Sequence, residues 1–466
     1  MDTDTRRWAA LGLLCAANFM VVLDSQIVLL ALPSVERDLE FTGGGAQWVM
    51  SAYLLGFGGL LLLGGRTADL AGRRRTFLAG TGLFLVASLL CGSAWNGGAL
   101  IGARVAQGVS AALMAPSALS ILTATFAEGP ARNRAIAVWA SVGGFGATAA
   151  LLVGGPLTGG LGWRSIFFLN VPAAVLLLAL GPSLLDESRG GARRGYDPVG
   201  ALTVTLAASA TVYGVVRIPE AGWTSAWTAG SLAVAVVAGA AFVLAESRSR
   251  SPLVPLRTFR SRRLTGGNVV TLAAAMAVFG TSLAVSRYAQ DVLGYSPLAF
   301  GFATAVLPLA AVAGSAAAQA ALRRATVRVV APAGLAVMAA GCLVLARVPA
   351  GGYASVLLPG LALLGLGLGA SGVAGSVAAL AGGAEGDAGL ASGINTAAFQ
   401  FGGAFGVAVA STAVLSWADG PGPAAGFRAA FAASAGIALA GAVVAAALLK
   451  TPARRRVSEP VKVTTR

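Results

Sequence analysis

Long apolar runs separated by short polar segments occupy most of the 466-residue chain. Each run has about 17 to 28 residues, a length at which an α-helix crosses the hydrocarbon core of a bilayer. The pattern predicts fourteen membrane-spanning helices, near 8–33, 46–65, 76–94, 98–125, 135–161, 165–184, 197–217, 226–246, 265–289, 298–320, 327–347, 353–380, 389–415 and 427–449. The first run continues to Pro33 without an A-x-A cleavage site, so we expect a retained helix rather than a signal peptide.

Basic residues collect in every second loop of this pattern. The chain has 33 Lys and Arg residues against 18 Asp and Glu, and most of the basic residues fall on one predicted side. The positive-inside rule places that side in the cytoplasm, together with both chain termini, in a multi-pass protein of the cell membrane. The net charge of +15 therefore reflects topology, and no nucleic-acid partner is expected. Loop 381–388 departs from the rule, with two acids and no base.

Composition excludes several classes of protein. With 11% charged residues and a mean hydropathy of +0.79, the chain is not a soluble enzyme. It has no histidine, which removes His-based proton relays, Ser-His-Asp triads and His-ligated zinc. The three cysteines lie in separate apolar runs without CxxC spacing, so no metal, cofactor or disulfide framework is expected. The sequence lacks the catalytic motifs of a membrane-embedded enzyme, so we do not expect one. We do not expect a channel either, because a channel would need rings of like charge.

The fourteen predicted helices divide into two groups of six and an intervening pair. Residues 1–184 form the first six-helix bundle, 185–263 a basic linker with helices 7 and 8, 264–450 the second bundle, and 451–466 a basic cytoplasmic tail. Two related bundles with a substrate site between them are a known transporter plan. We therefore predict an all-α integral membrane protein, expected to be a monomer.

The loop after helix 2 combines glycines with opposite charges, as Gly-Gly-Arg-Thr-Ala-Asp-Leu-Ala-Gly-Arg-Arg-Arg over 64–75. Asp69 is an acid among four arginines, able to pair with one and to cap a helix start. The glycines permit close backbone approach and a tight turn. The candidate gate residues are Gly65, Asp69, Gly72, Arg73 and Arg74. The alternative is an ordinary basic loop.

Two further helices carry notable motifs. Helix 4 contains Arg-Val-Ala-Gln-Gly from Arg104, and an arginine at that depth costs a few kcal/mol unless it is paired or snorkels to the outer surface. Helix 5 ends in a glycine–proline element that suits close helix packing and a bend, followed by Trp-Arg-Ser-Ile-Phe and Asn-Val-Pro. The members of that element are Gly155, Pro156, Gly159 and Gly160. Plain helix packing is the alternative for it.

These motifs resemble those of the major facilitator superfamily, over nearly the whole chain. The helix 2 loop is similar to the family's G-x-L-A-D-x-x-G-R-[KR] signature, helix 4 to R-x-x-Q-G, and helix 5 to the G-P-x-x-G-G element described for antiporters. Residues 23–33 resemble the helix 1 motif of fourteen-helix drug:proton antiporters, although Gln26 and Leu29 replace its usual Thr and Asn. The resemblance implies a major facilitator fold and a gating role for the Asp69 loop.

Asp24 is the one acid deep in a predicted span. It lies nine residues before Pro33, so ~13 Å from the outer end of helix 1, and Arg104 lies ~9 Å from the outer end of helix 4. Similar depth permits a contact but does not establish one. Because an intramembrane ionisable group is functional by default, Asp24 and Arg104 are the candidate proton-coupling residues. The alternative is a purely structural pair.

The resemblance implies a proton-coupled antiporter that exports small amphipathic drugs or antibiotics by alternating access. Its expected partners are protons, membrane lipids and the substrate. Candidate cavity residues are Gln26, Gln107, Arg287, Gln290, Asn395 and Gln400. We expect Arg287 to snorkel or to disfavour dications, leaving monocations, zwitterions or neutral lipophiles. The alternative function is major facilitator transport of a specific metabolite.

Overall fold

The computed structural model describes residues 3–42, 45–126, 130–188, 197–222, 224–249, 252, 254, 256–348, 352–382, 388–416 and 424–449. The regular structure of these residues is helical. Its fourteen long helices are α1 Thr3–Asp38, α2 Trp48–Ala71, α3 Arg73–Gly92, α4 Gly97–Thr125, α5 Pro130–Leu161, α6 Ser165–Leu184, α7 Pro198–Ala221, α8 Ala226–Arg248, α9 Arg262–Arg287, α10 Pro297–Leu322, α11 Val327–Leu345, α12 Leu358–Ala381, α13 Ala388–Ser416 and α14 Ala425–Leu448. Both α6 and α10 contain a one-residue break, at Leu169 and Ala305.

Short irregular turns flank several of these helices. A 3₁₀ turn, Gly45–Gln47, precedes α2, and a second one, Leu256–Arg260, precedes α9. A π-helical segment, Tyr288–Val292, prolongs α9, and another, Tyr353–Leu357, leads into α12. The turn before α2 lies next to α13 of the other half, and Gln290 of the segment after α9 donates to the carbonyl of Leu30 on α1.

Twelve helices of the described residues are long and apolar enough to cross a membrane, or thirteen when the two parts of α2 count as one span. The count of fourteen spans and the domain boundaries at 184, 263 and 450 remain predictions. The basic tail 451–466, most of the linker before α7 and the acids of loop 381–388 lie outside the described residues.

Side-chain caps fix the starts of several helices. The Asn96 side chain accepts a hydrogen bond from the backbone N–H of Ala99 at 2.8 Å where α4 begins. Asp197 does the same for Gly200 at the start of α7, also at 2.8 Å. Such caps satisfy backbone donors that have no partner within the helix. They explain why these helices begin where short polar residues interrupt the apolar pattern.

The two ends of the helix bundle can be told apart by their contacts. Near one end, Arg6 of α1 pairs with Asp186 after α6 at 2.7 Å, and a Cβ on Gly266 of α9 would lie 2.8 Å from Leu449 after α14. We call this end, which carries the start of α1 and the end of α14, the terminal face. The opposite end, with the end of α1 and the start of α10, is the far face.

The halves α1–α6 and α9–α14 meet along three seams. α2 packs on α13, α5 packs on α10, and α1 contacts α9. α7 packs against both α2 and α13, and a Cβ on Gly59 of α2 would lie only 2.0 Å from the Thr205 hydroxyl of α7. α8 packs mainly on α7, and its most apolar stretch is 11% buried. Of the added pair, α8 is peripheral whereas α7 takes part in the seam between the halves.

Candidate functional site

The carboxylate of Asp24 is held by three donors inside the first half. The residue is 0% exposed. Its Oδ2 accepts a hydrogen bond from Nη1 of Arg104 on α4 at 2.6 Å. Its Oδ1 accepts one from Nδ2 of Asn170 on α6 at 2.7 Å and one from Nε2 of Gln107 on α4 at 3.3 Å. A buried charge requires such pairing, because an isolated ion in an apolar interior is very costly.

Arg104 is equally enclosed and touches α2 as well. Its Nε donates to the carbonyl of Val49 at 2.9 Å, and its guanidinium lies 4.3 Å from the ring centre of Tyr53 and 5.8 Å from that of Phe167. Asp24 and Arg104 therefore do face each other, which the sequence left open. The snorkelling interpretation of Arg104 is wrong, since the side chain is paired within the bundle.

Gln107 belongs to this network rather than to an open cavity. Its Oε1 accepts hydrogen bonds from Arg104 Nη1 at 2.7 Å and from the Cys91 thiol at 3.2 Å. Its Nε2 also donates to the Ser88 hydroxyl at 2.9 Å, and the residue is 0% exposed. Residues three apart on a helix share a face, so Gln107 follows Arg104 into the core. We call Asp24, Ser88, Arg104, Gln107 and Asn170 the charged network.

Asn170 is a member that the sequence analysis did not select. Its position in the Asn-Val-Pro element did not indicate a role, yet it makes a 2.7 Å hydrogen bond to Asp24 across 146 positions of the chain. A side-chain amide within an apolar run was the available signal. Because polar groups in a span are expensive unless partnered, that amide pointed to a partner on another helix.

The loop after α2 holds the predicted ion pair but not the predicted cap. Asp69 accepts hydrogen bonds from Arg73 Nε at 3.3 Å and Nη2 at 3.2 Å. The start of α3 is capped instead by Glu187, whose carboxylate accepts the backbone N–H groups of Arg74 and Arg75 at 3.1 and 3.2 Å. The cap prediction for Asp69 is therefore wrong, because an acid after α6 occupies that place.

The glycines of this loop have different tasks. Gly72 ends α2 with φ +112°, a conformation that residues with a Cβ rarely adopt. A Cβ on Gly65 would meet the Pro116 side chain at 3.5 Å, an ordinary contact with α4. Arg74 also donates to the carbonyl of Leu185 at 3.2 Å. The loop thus ties α2 and α3 to the end of α6, and its gating role remains a prediction.

The glycine–proline element of α5 reaches the other half at one position. Its residues within α5 are Gly155, Pro156, Gly159 and Gly160. A Cβ on Gly155 would lie 2.8 Å from both Leu298 Cα and the Pro297 carbonyl oxygen, so backbone meets backbone between α5 and α10. A Cβ on Gly159 or Gly160 would meet no atom of the structure within 4 Å. The predicted close packing therefore applies to Gly155, and not to Gly159 or Gly160.

Arg287 and Gln290 of the α9 region lie against α1. Arg287 forms an ion pair with Glu36, and its side chain is 14% exposed. Gln290 Nε2 donates to the Ser286 hydroxyl at 3.0 Å and to the carbonyl of Leu30 at 3.4 Å. Arg287 thus does not snorkel freely, because a carboxylate of the first half engages it.

The remaining cavity candidates are dispersed. Gln26 is half-buried on α1. Gln400 on α13 is 5% exposed, and a Cβ added to Gly58 of α2 would lie 2.9 Å from the Gln400 Cβ. The six candidates therefore do not converge on one site. Among the described residues, no three acid or cysteine side chains cluster in a way that could hold a metal ion.

Asn395 belongs to a second polar network, within the second half. Its Nδ2 donates to Asn268 Oδ1 at 3.1 Å and to the Thr271 hydroxyl at 2.8 Å, both on α9. Its Oδ1 accepts from the Ser376 hydroxyl on α12 at 3.2 Å. We call Asn268, Thr271, Ser376 and Asn395 the neutral network.

Comparison with known proteins places this geometry in a family. The model described as Major Facilitator Superfamily matches residues 14–284. A Mycobacterium tuberculosis (strain CDC 1551 / Oshkosh) protein, named as the uncharacterized MFS-type transporter EfpA, is 40% identical over 285 residues, which are 61% of this chain and 53% of that protein. The match thus spans about half of that relative's length. The puromycin resistance protein pur8 of Streptomyces alboniger is 40% identical over 414 residues, covering 88% of this chain and 82% of that protein.

The fold has solved counterparts at low sequence identity. The crystal structure of the POT family transporter PepTSo superposes with a TM-score of 0.70 at 17% identity, covering 94% of this chain and 97% of that chain. At that identity the likeness shows the fold alone. Since a family model matches more than half of the chain and a relative matches most of its length at 40% identity, the chain belongs to the Major Facilitator Superfamily.

Proposed function

We propose that this protein exports small amphipathic drugs or antibiotics across the cell membrane in exchange for protons. Membership of a transporter superfamily supports transport, and the relative named for puromycin resistance supports a drug as the substrate. A resistance protein that is a transporter acts most directly by removing the drug from the cytoplasm. The observation that carries the proton step is the Asp24–Arg104 pair, 2.6 Å apart and closed to solvent inside the first half.

Protonation of Asp24 would change the energy of the whole charged network. The paired carboxylate and guanidinium have no net charge, whereas a neutral Asp24 leaves the Arg104 cation uncompensated in the core. Breaking a buried pair in this way costs about 3–5 kcal/mol. A conformation that admits water around Arg104 lowers that cost. Proton binding therefore favours a different arrangement of the first half, which is the requirement for coupling.

Arg104 passes this change on to α2. Its Nε bonds to the Val49 carbonyl in the first turn of α2, and its guanidinium covers the Tyr53 ring one turn later. The opposite side of α2 packs on α13 of the other half. A shift of the Arg104 side chain thus moves a helix that belongs to the seam between the halves, and the halves then alternate in opening to the two sides.

The sidedness follows from charge. The terminal face carries the basic loop of Arg73, Arg74 and Arg75 and the Arg6–Asp186 pair. The positive-inside rule assigns such a face to the cytoplasm, with both chain termini. The drug site lies between the halves. A monocation, a zwitterion or a neutral lipophile is preferred to a dication, because the one deep acid, Asp24, is accompanied by two arginines, Arg104 and Arg287.

Transport into everted membrane vesicles tests this proposal. Vesicles from an expressing bacterial host are energised by respiration, and accumulation of puromycin or of a lipophilic monocationic dye is followed with and without a protonophore. We expect accumulation that the protonophore abolishes, and a loss of it in Asp24→Asn. The matched control is Asp4→Asn, which neutralises an exposed acid of the same helix and leaves transport intact.

Two results would contradict parts of the proposal. Equal pumping by Asp24→Asn and the parent would show that the coupling residue lies elsewhere. Failure of the correctly folded parent to move any drug probe would favour transport of a specific metabolite.

A further inference from the structure

An ion pair joins the two halves at the far face. Glu36, near the end of α1, pairs with Arg287 at the end of α9, and the two side chains are 23% and 14% exposed. Directly before Arg287, the Ser286 hydroxyl donates at 2.9 Å to the carbonyl of Leu29, which lies about two turns before Glu36 on α1, and Ser286 is fully buried. These contacts cross from the first half to the second, so they exist only while the far face is closed.

At the same face, the seam between α2 and α13 contains buried polar atoms without partners instead of an ion pair. Gln47 and Ser51 are both 0% exposed, and the Gln47 amide nitrogen, the Gln47 amide oxygen and the Ser51 hydroxyl have no hydrogen-bond partner among the residues that the structure describes. Buried polar atoms normally find partners, and an unpaired one carries a desolvation penalty. This seam therefore holds three unpaired polar atoms within one helical turn.

The direction of these side chains follows from the rest of α2. A Cβ added to Gly403 of α13 would lie 3.0 Å from Leu54 Cδ1, and a Cβ added to Gly58 would lie 2.9 Å from the Cβ of Gln400 on α13. Leu54 and Gly58 therefore face α13. Gln47 and Ser51 precede Leu54 by seven and three residues, which puts them on the same helical face. The turn that contains Gln47 also contacts α13. The unpaired atoms therefore lie on the side of α2 that faces α13, at a turn that also contacts α1.

We propose that the Glu36–Arg287 ion pair holds the far face closed and that Gln47 and Ser51 oppose this closure. Separation of the halves at the far face breaks the ion pair, but it also lets water form hydrogen bonds with the unpaired Gln47 amide and Ser51 hydroxyl. The closed state is in this way balanced between attractive contacts and the desolvation penalty of the unpaired atoms, so that it can open in each transport cycle. The inference rests on the proposed alternating access, but it concerns an equilibrium that exists without substrate or proton gradient.

Asp38 provides a matched control for Glu36. It lies two residues further along α1, but its carboxylate accepts hydrogen bonds from Trp163 Nε1 at 2.9 Å and Arg164 Nη1 at 2.6 Å, both in the first half. Neutralising Asp38 therefore removes an ion pair at the same face without affecting a contact between halves. Thr81 serves likewise for Gln47, since it is fully buried within the first half and bonds only to its own helix.

The test measures the far-face distance directly by double electron–electron resonance on the full chain in lipid nanodiscs. Spin labels are attached to Leu161→Cys at the end of α5 and Leu293→Cys after α9, which are 75% and 40% exposed and belong to different halves. The three native cysteines are buried and free, so labelling of the parent without the two new cysteines gives the background. No substrate is added.

We expect the variants to move the open-to-closed ratio in opposite directions. Glu36→Gln raises the open fraction about fivefold, because a partly buried pair is lost, and the exchange Glu36→Arg with Arg287→Glu restores the parent ratio. Gln47→Leu lowers the open fraction about tenfold, because it removes unpaired atoms from the closed state and exposes an apolar side chain in the open one. Combined with Glu36→Gln, Gln47→Leu brings the ratio back towards the parent.

Other outcomes overturn the inference. An unchanged distance distribution in Glu36→Gln, or a shift of Gln47→Leu towards the open state, contradicts it. So does an equal response to Asp38→Asn or Thr81→Val. If Gln47→Leu does not fold, Ser51→Ala gives the same sign with a smaller change. Loss of drug transport in the vesicle assay leaves these distances unaffected, so failure of the proposed function and failure of this inference are separable.

Discussion

Each half of the molecule buries one polar network, and the two networks differ in charge and in position. The charged network joins α1, α3, α4 and α6 in the first half and includes a fully buried ion pair. The neutral network joins α9, α12 and α13 in the second half and contains only amides and hydroxyls. The charged network lies towards the far face, close to the start of α4, whereas the neutral network lies within about three turns of the terminal face.

The difference indicates that the neutral network serves helix association, whereas the charged network serves transport. Neutral amides and hydroxyls hold helices together at little cost, and interhelical hydrogen bonds of this kind contribute about 0.6–2 kcal/mol each in membranes. A buried ion pair is expensive to form and is often no more stabilising than apolar packing of the same volume. Only the charged network can also gain or lose a proton. We infer that coupling is confined to the first half.

The largest expected effect is the loss of one charge from the ion pair. Arg104→Gln leaves the Asp24 carboxylate buried with hydrogen bonds but without a cation, so the free energy of unfolding should fall by about 3–5 kcal/mol. Thermal unfolding in detergent measures this change. Arg323→Gln removes an exposed arginine at the end of α10 and should leave the melting temperature unchanged. An equally stable Arg104→Gln variant would contradict the view that the pair carries two buried charges.

Removing both charges should sharpen the comparison. In the double variant Asp24→Asn/Arg104→Gln no buried charge is left unpaired, so about 2–3 kcal/mol of the loss seen in Arg104→Gln should be recovered. The first half then resembles the second, with a neutral network. We expect a folded protein without proton-driven transport, measured in the same vesicle assay. Proton-driven transport by the double variant would show that coupling does not need this pair.

A smaller loss is expected in the neutral network. Asn395→Ala removes three hydrogen bonds and leaves amide and hydroxyl groups of α9 and α12 without their partner, at a cost of about 2 kcal/mol. Proton dependence of the remaining transport should be unchanged, since no charge is involved. Ser355→Ala, at an exposed hydroxyl, is the control. A loss as large as that of Arg104→Gln would contradict the distinction between the networks.

The possibility of a contact between Asp24 and Arg104 could be anticipated from their depth, although depth alone did not show that the two side chains face each other. Both residues lie at countable distances from the same side of the membrane, and helical rise converts those counts to a common level. Apolar length and local motifs were also enough to predict the family, the helical fold and the positions of most helices. These are properties of single segments of the chain.

The remaining contacts depend on how helices are rotated about one another, which no single segment specifies. Asn170 reaches Asp24 only because α6 turns that face inward, and Glu36 meets Arg287 across 251 positions. Gln107 was misassigned to the cavity although its spacing from Arg104 indicated a shared face. Glu187 replaces Asp69 as the cap of α3 because the chain returns there after α6.

The two halves also differ in the loops that follow α2 and α10, and this difference predicts the smallest effect. α2 ends at Gly72 with φ +112°, and a Cβ there would lie 2.7 Å from the Glu187 carboxylate that caps α3. The loop between Leu322 and Val327 has no glycine, and none of its residues has positive φ. Gly72→Ala should therefore lower the free energy of unfolding by about 1–2 kcal/mol, through backbone strain and a displaced cap.

A second glycine makes this prediction specific. Gly82 lies within α3, where a Cβ would meet no atom of the structure within 4 Å. Gly82→Ala should leave stability unchanged or raise it by up to ~1 kcal/mol, because alanine favours the helix. If both substitutions behave alike in thermal unfolding, the turn at Gly72 does not depend on its positive φ. If only Gly72→Ala is destabilised, this loop of the first half requires a backbone geometry that the loop after α10 does without.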